Sequence, residues 1–183
     1  MNKLDRLVGD EWVPYVVPSV FSRAHLKNGS ERLEIGVPNG DAQLLERLAA
    51  ELQPPYYLLY VLHTPRGEGE AGRYQSPAVE PHQLQAFLAR FRVLLASDSR
   101  FDLWLHSPAD GATLVWDRHD LMYAYGDLEG LAKVLVGMGF VEGSAQPDFD
   151  HSHHYRPEMD ADASALLNYF DWHHSPLQPA DEQ

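Results

Sequence analysis

One apolar stripe constrains the fold more than any other pattern in the sequence. Six large apolar residues follow Pro81 at the spacing of a single helical face: Leu84, Phe87, Leu88, Phe91, Leu94 and Leu95. Proline fits the first turn of a helix, so the helix is predicted to begin there. A helix with one apolar face has to bury that face against a second layer, and strand patterns flank it in the chain. The stripe therefore predicts helices packed on a sheet.

These flanking patterns indicate mainly antiparallel strands. The stretch FDLWLHSPADGATLVWDRHDLMYAYG, which begins at Phe101, places aromatic and β-branched residues between turn sequences and predicts three short antiparallel strands. Earlier in the chain, the dipeptide Asn28-Gly29 predicts a hairpin with a two-residue turn. In that hairpin Lys27 would pair with Ser30, which fixes the register of both strands.

Three further helical patterns complete the chain: one ending before Pro54-Pro55, one between Asp127 and Gly139, and one beginning near Asp162. We therefore predict an α+β protein with a single domain over residues 1–175. Its sheet is mixed or mostly antiparallel and is covered mainly on one side by about four helices. Residues 176–183 have no periodic pattern and are predicted to form a flexible C-terminal tail.

Composition excludes several classes of function. The chain of 183 residues has 14 basic and 27 acidic residues, and its net charge of −13 argues against nucleic acid as a partner. The absence of cysteine excludes disulfides, thiolate metal sites and cysteine nucleophiles. The longest uncharged apolar run, YYLLYVL, is too short to span a bilayer, so we expect no membrane partner and a cytoplasmic location.

Two predicted strands end in similar sequences, VLHTPRG at His63 and WLHSPADG at His106, with a loop and a helix between them. If the strands are parallel, both histidines lie at one edge of the sheet, where open α/β sheets bind ligands. Arg66 and Arg73, in a glycine-containing segment that reads as a mobile lid, would then help to bind a small anionic ligand. The alternative is that histidine, a hydroxyl residue and proline simply end a strand well.

The segment DFDHSHHYRPEMD is the best candidate for a metal site. In an extended strand His151 and His153 project to one face and His154 to the other, so the first two form half a site for a divalent metal such as zinc. A third ligand has to come from elsewhere, and the candidates are His63, His106, His119, His173 and His174. The alternative is that these histidines are partly exposed residues of an edge strand, whose charge discourages pairing with other sheets.

The run from Phe101 to Gly126, together with GFVEG and HSHHYRP, resembles a group of uncharacterised bacterial proteins with no assigned function. The resemblance covers about the last half of the chain. It implies a bacterial, cytoplasmic protein, and it carries over no catalytic residue, ligand or mechanism.

The sequence leaves two functions open. The first, slightly favoured, is a soluble acidic protein-interaction or ligand-binding domain, with a protein or a small anion as partner. The second is a metal-assisted hydrolase that uses the histidine cluster and a metal-bound water. Whether the protein is an enzyme is not decided by the sequence, because no serine or threonine stands in a recognised nucleophile motif.

Overall fold

The computed structural model describes residues 2–181, and its strands and helices confirm the predicted α+β class. Its twelve strands are β1 (Leu4–Val8), β2 (Glu11–Pro14), β3 (Val20–His25), β4 (Glu31–Gly36), β5 (Tyr57–Leu62), β6 (Gly72–Gln75), β7 (Phe101–Ser107), β8 (Ala112–Trp116), β9 (Leu121–Tyr125), β10 (Val141–Glu142), β11 (His151–His153) and β12 (His173–Ser175). The five α-helices are α1 (Gln43–Ala49), α2 (Pro81–Arg90), α3 (Arg92–Ser97), α4 (Leu128–Gly137) and α5 (Asp160–Leu167).

The strands form two sheets. Nine of them make one large sheet in the order β10-β3-β4-β9-β8-β7-β5-β6-β12, in which only β10 and β3 are parallel. The other three make a small antiparallel sheet in the order β11-β1-β2. The small sheet joins two segments that are distant in sequence, because β1 near the start of the chain pairs with β11.

All five helices contribute to one apolar cluster on one face of the large sheet, including Leu45, Phe87, Leu94, Leu131 and Leu166. The predicted long helix is divided, because Phe91 departs from helical geometry and separates α2 from α3. No helix between residues 2 and 181 is long and apolar enough to cross a membrane.

The opposite face of the large sheet is partly open. In β7 and β8 the buried residues of the core alternate with half-buried ones, because successive strand side chains point to opposite faces. Asp102, Trp104, Thr113 and Val115 are the half-buried set. They face away from the helices and form the floor of a cavity described below.

The predicted hairpin is present, but its predicted register is wrong by one residue. The N–H of Leu26 donates to the carbonyl of Ser30 at 2.8 Å, so the loop has three residues instead of two. Gly29 has φ +83°, as expected at the left-handed position that closes a three-residue loop. In the observed register Arg23 pairs with Leu33. Arg32 alternates with the buried Leu33 along β4 and therefore lies on the open face of the sheet.

The predicted parallel arrangement of β5 and β7 is also wrong. The two strands are antiparallel neighbours, with Tyr57 opposite His106 and Leu62 opposite Phe101. The reason is that the segment predicted as a lid contains β6, which forms a hairpin with β5. The helical crossover therefore leads from β6 to β7, and both of these strands run antiparallel to the β5 strand between them.

The end of the chain follows the edge of the sheet. β12 pairs with β6, and residues 179–181 form a short 3-10 helix in which the Asp181 side chain is buried. The flexibility predicted for residues 176–183 stays a prediction, and residues 182 and 183 lie outside the described part of the chain.

Candidate metal centre

Three histidines converge at the contact between the two sheets. His151 and His153 come from β11, and His119 comes from the turn between β8 and β9. One ring nitrogen from each lies within 4.8 Å of those of the other two. The ring centroid of His119 is 5.3 Å from that of His151 and 4.9 Å from that of His153. The sequence supplied two of these residues as a pair and His119 as one of five possible third ligands.

Strand geometry explains the pair. β11 is extended, so His151 and His153 share a face, as the alternation in the sequence predicts. His154 points to the opposite face, where its Nε2 lies 3.1 Å from a carboxylate oxygen of Asp5. β11 is the edge strand of the small sheet. This position is also the one required by the alternative interpretation, in which the histidines are partly exposed residues of an edge strand.

Asp117 holds His119 in place. Its Oδ1 accepts hydrogen bonds from the backbone N–H groups of His119 at 2.8 Å and Leu121 at 2.9 Å, which fixes the turn. Its Oδ2 lies 3.1 Å from Nδ1 of the His119 ring. The turn also requires a positive φ of 59° at Asp120, a conformation that aspartate tolerates better than most residues.

Lys3 connects this turn to the small sheet. Its side chain is completely buried, and Nζ lies 3.1 Å from Oδ1 of Asp120 and donates to the carbonyl of Asp117 at 3.3 Å. The same ammonium group lies 4.3 Å from the centre of the Trp116 ring, a cation–π distance. Lys3 directly precedes β1, the partner of β11, so one side chain links the strand pair to the turn.

The outer nitrogens of two histidines already have acceptors. Nδ1 of His119 faces the Asp117 carboxylate, and Nδ1 of His151 lies 3.1 Å from the carbonyl oxygen of Phe149. A carbonyl oxygen only accepts, so the proton of neutral His151 is on Nδ1, and its Nε2 has a free lone pair. Metal-binding histidines in proteins have this arrangement, in which a carboxylate or a carbonyl fixes the ring and its tautomer.

The surroundings of His153 favour its neutral form. Burial lowers the pKa of His153 to about 4, and the neighbouring His119, His151 and Arg118 act in the same direction, while Asp117 acts against them. Its Nδ1 is buried and has no hydrogen-bond partner among residues 2–181. A buried polar nitrogen without a partner is uncommon and calls for an unobserved ligand, water or ion.

The donor set fits a transition metal. Three neutral imidazole nitrogens suit zinc, copper, iron or nickel, whereas calcium and magnesium prefer oxygen ligands. Catalytic zinc sites have three protein ligands and leave the fourth position for water or substrate, whereas structural zinc sites have four protein ligands.

A cavity of about 320 Å³ adjoins the histidine cluster on the open face of the large sheet. His119 belongs to both the cluster and the cavity wall, and Asp117, which contacts the His119 ring, also lines the cavity. The remaining wall combines aromatic and charged side chains, among them Arg32, Asp102, Trp104, Tyr123, Tyr125 and Asp181. None of these wall residues was predicted from the sequence. The signal for them is the alternation along β7, β8 and β9, whose second face is aromatic and charged.

The four residues predicted to bind a ligand do not meet at one site. His63 pairs with Asp102 through Nε2 at 2.9 Å, whereas His106 lies at the other end of β7 and contacts Thr113 at 3.0 Å. Arg66 pairs with Asp160 at 3.1 Å. The shared edge expected for His63 and His106 requires parallel strands and is therefore wrong, while a ligand-binding role for each residue alone stays a prediction.

Arg73 also lies beside the cavity wall. Its guanidinium carbon lies 5.7 Å from the ring centre of Trp104, and Nε lies 3.6 Å from a carboxylate oxygen of Asp181. His173 and His174, two other candidates for the third metal ligand, lie on β12 at the edge of the large sheet, and His174 packs on Tyr74 at 4.8 Å. They are not members of the cluster that His119 completes.

Comparison with known proteins adds no functional information. No family model matches the chain, and no curated protein or solved structure matches it either. The resemblance to uncharacterised bacterial proteins therefore stays a prediction, and the functional argument rests on the geometry of the site.

Proposed function

We propose that the protein binds a divalent transition metal, in the first instance zinc, through His119, His151 and His153, and that it is a metal-assisted hydrolase. The observation that carries the proposal is that one ring nitrogen from each of the three histidines lies within 4.8 Å of those of the other two, while Nδ1 of His119 and Nδ1 of His151 face acceptors. Edge-strand histidines that only discourage aggregation would need neither the turn histidine nor its carboxylate.

The chemistry follows from the position of the cluster. A bound divalent metal makes a coordinated water a nucleophile near neutral pH and polarises a carbonyl or phosphoryl oxygen. The protein contributes orientation: Asp117 fixes the His119 ring, and burial keeps His153 in the neutral form that a metal requires. Asp102, which is held by His63, is a second carboxylate in the cavity wall and is available to accept a proton from a substrate.

The test is calorimetric titration of untagged, chelator-treated protein with zinc at neutral pH. We expect one zinc ion per chain for the natural sequence, and affinity reduced by at least ~100-fold in His119→Ala and in the double variant His151→Ala/His153→Ala, because losing a ligand costs more than losing an outer-shell partner. The matched control is the double variant His25→Ala/His82→Ala, whose histidines are exposed and lie outside the cluster.

Hydrolysis is tested separately from binding. A panel of p-nitrophenyl esters and phosphates is assayed with zinc-loaded protein, and we expect turnover that disappears in His119→Ala and remains in the control variant. Equal zinc affinity in the natural protein and in the cluster variants would disprove the metal site. Stoichiometric zinc binding without turnover on any member of the panel would contradict the hydrolase part of the proposal for these substrate classes.

Replacing Asp117 by asparagine tests the outer shell. The amide retains an oxygen that can accept the two backbone N–H groups of the turn, but it lacks the charge that faces Nδ1 of His119. We expect zinc affinity to fall by about 10- to 100-fold. The control is Asp102→Asn, which removes a carboxylate from the cavity wall without contact to the cluster, and competition with a chromophoric chelator measures both affinities. Equal affinities in the two variants would contradict the role given to Asp117.

A protein-interaction domain is the second candidate function. The observation in its favour is an exposed apolar strip at one edge of the large sheet, in which Val136 and Val141 are about 60% exposed (61% and 62%) and Met138 lies between them. An open groove beside this strip includes Phe21 and Arg23 of β3, the neighbour of the edge strand β10. The strip shares no residue with the histidine cluster or with the cavity beside it, so the two functions do not exclude each other.

A further inference from the structure

Two buried hydrogen-bond donors on the open face of the large sheet have no acceptor. They are Nε1 of Trp104 and Nε of Arg73, and neither has a hydrogen-bond partner among the described residues. The two side chains are neighbours, since the Arg73 guanidinium carbon lies 5.7 Å from the Trp104 ring centre. Unsatisfied buried donors are rare because burying them without a partner costs free energy.

One carboxylate lies close to the Arg73 donor without satisfying it. The Asp181 side chain is 2% exposed, and its Oδ2 is 3.6 Å from Nε of Arg73, which is too long for a hydrogen bond. The same oxygen accepts from the backbone N–H of Gln178 at 2.8 Å. Asp181 is also part of the cavity wall that Trp104 and His119 share. The chain therefore places its own carboxylate beside the Arg73 donor, in the cavity wall that also contains Trp104, and both donors still lack an acceptor.

We propose that Arg73 and Trp104 form a carboxylate-binding site, and that Asp181 partly occupies it until a ligand carboxylate replaces it. The proposal rests on the proposed function, since it names carboxylate-bearing compounds as the substrate class of the same cavity. A carboxylate accepts at several positions on two oxygens, so a free one can reach both donors at once. Asp181, tethered to the segment that follows β12, reaches neither within hydrogen-bonding distance.

Charge balance favours the exchange. When Asp181 leaves and a ligand carboxylate enters, one negative charge beside Arg73 replaces another, so the buried guanidinium is never left without a counter-ion. The cavity wall includes the aromatic side chains of Trp104, Tyr123 and Tyr125, which can pack against a planar apolar body attached to the carboxylate. Benzoate has this combination and serves as the probe.

The alternative role of Arg73 and Asp181 is structural, as a fastening for the last segment of the chain. The two roles predict different effects of Asp181→Asn. If the Arg73–Asp181 pair only holds the last segment in place, Asp181→Asn weakens that contact and the affinity for benzoate does not rise. A site that Asp181 partly occupies becomes more available, so the affinity for benzoate rises, by about tenfold in our expectation.

The experiment follows the indole N–H signal of Trp104 in nitrogen-15 labelled, zinc-free protein while benzoate is added. Assignment comes from Trp104→Phe. We expect benzoate to shift this signal in the natural protein, to bind ~10-fold more tightly in Asp181→Asn, and to lose its effect in Arg73→Gln. The uncharged isostere benzamide should cause no shift. Asp171→Asn is the matched control, because it also removes one carboxylate near the end of the chain, at an exposed position.

Each outcome bears on the proposal. Unchanged affinity in Asp181→Asn, an equal shift in Arg73→Gln, or an equal shift with benzamide would overturn it. Because the titration is done without metal, its result is independent of the zinc measurement. Failure of zinc binding with benzoate binding intact would reject the hydrolase and leave a carboxylate site, and the reverse result would leave a metal site whose substrates lack a carboxylate.

Discussion

Replacing Arg100 by methionine is expected to lower the free energy of unfolding by about 3–5 kcal/mol, because it leaves buried carboxylates without their cation. The Arg100 side chain is 0% exposed. It makes two hydrogen bonds to Asp98, at 2.8 and 2.9 Å, and one to Glu68 at 2.9 Å. Its remaining bonds go to the Asp160 carboxylate and to the carbonyl of Arg156, both at 3.0 Å.

The electrostatics of Arg100 agree with a permanent charge at this position. Burial alone would lower the pKa of Arg100, but the hydrogen bonds to Asp98 and Glu68 outweigh burial and raise its pKa above the ordinary value. The guanidinium therefore ties three distant segments together: the start of β7, the connection between β5 and β6 through Glu68, and the start of α5 through Asp160. The side chain of Glu68 is 1% exposed, so that connection is anchored near its middle, although its glycines and charges suggested a lid.

Chemical denaturation with urea measures the loss, and Arg90→Met is the control. Arg90 also pairs with a carboxylate, at 3.1 Å from Asp162, but it is 53% exposed. Exposed pairs contribute about 0–1 kcal/mol, so the control should be close to the natural protein. If Arg100→Met costs no more than Arg90→Met, then Asp98 and Glu68 become hydrated without penalty and the network is not a structural centre. Arg100→Met should also make the connection between β5 and β6 susceptible to trypsin cleavage after Arg66.

Local patterns predicted most of the elements but not their partners. The period of the apolar residues identified the helices, and alternation between turn sequences identified β7, β8 and β9. The segment after β5 was predicted to be a lid because Gly72 and the charged residues before it are typical of a loop, but the segment contains the four-residue strand β6. Without that strand the crossover has the wrong starting point, and β5 and β7 are predicted to be parallel. The predicted hairpin register is wrong by one residue because Asn28-Gly29 also fits a three-residue loop.

The candidate site shows the same limit. His151 and His153 could be paired from sequence because strand geometry alone puts them on one face. His119 could not be selected among five candidates, because its approach depends on the pairing of Leu4 with His153, two residues at opposite ends of the chain. Lys3 carried no signal at all, since a lysine near the start of a chain is normally a solvated residue.

Replacing Lys3 by methionine is expected to lower the free energy of unfolding by about 3–5 kcal/mol, because Asp120 would lose the cation beside it in a buried site. Burial raises the pKa of Asp120, and the ion pair and hydrogen bond with Lys3 oppose that rise. Without Lys3 the carboxyl group becomes harder to ionise, and the turn that carries His119 loses its link to β1. Zinc affinity should therefore also fall, by about tenfold or more, since the loss of indirect support for a ligand has effects of this size.

The double variant Lys3→Met/Asp120→Asn separates the charge from the link. It leaves no unpaired buried charge, so we expect it to recover part of the stability lost in Lys3→Met, as measured by urea denaturation with a chelator present. Zinc affinity should remain low, because the turn and the small sheet are still not joined by a side chain. Lys133→Met, at an exposed position of α4, is the control for loss of one lysine. Full zinc affinity in Lys3→Met would show that the strand pair and the turn are aligned without Lys3, and that its role is confined to neutralising Asp120.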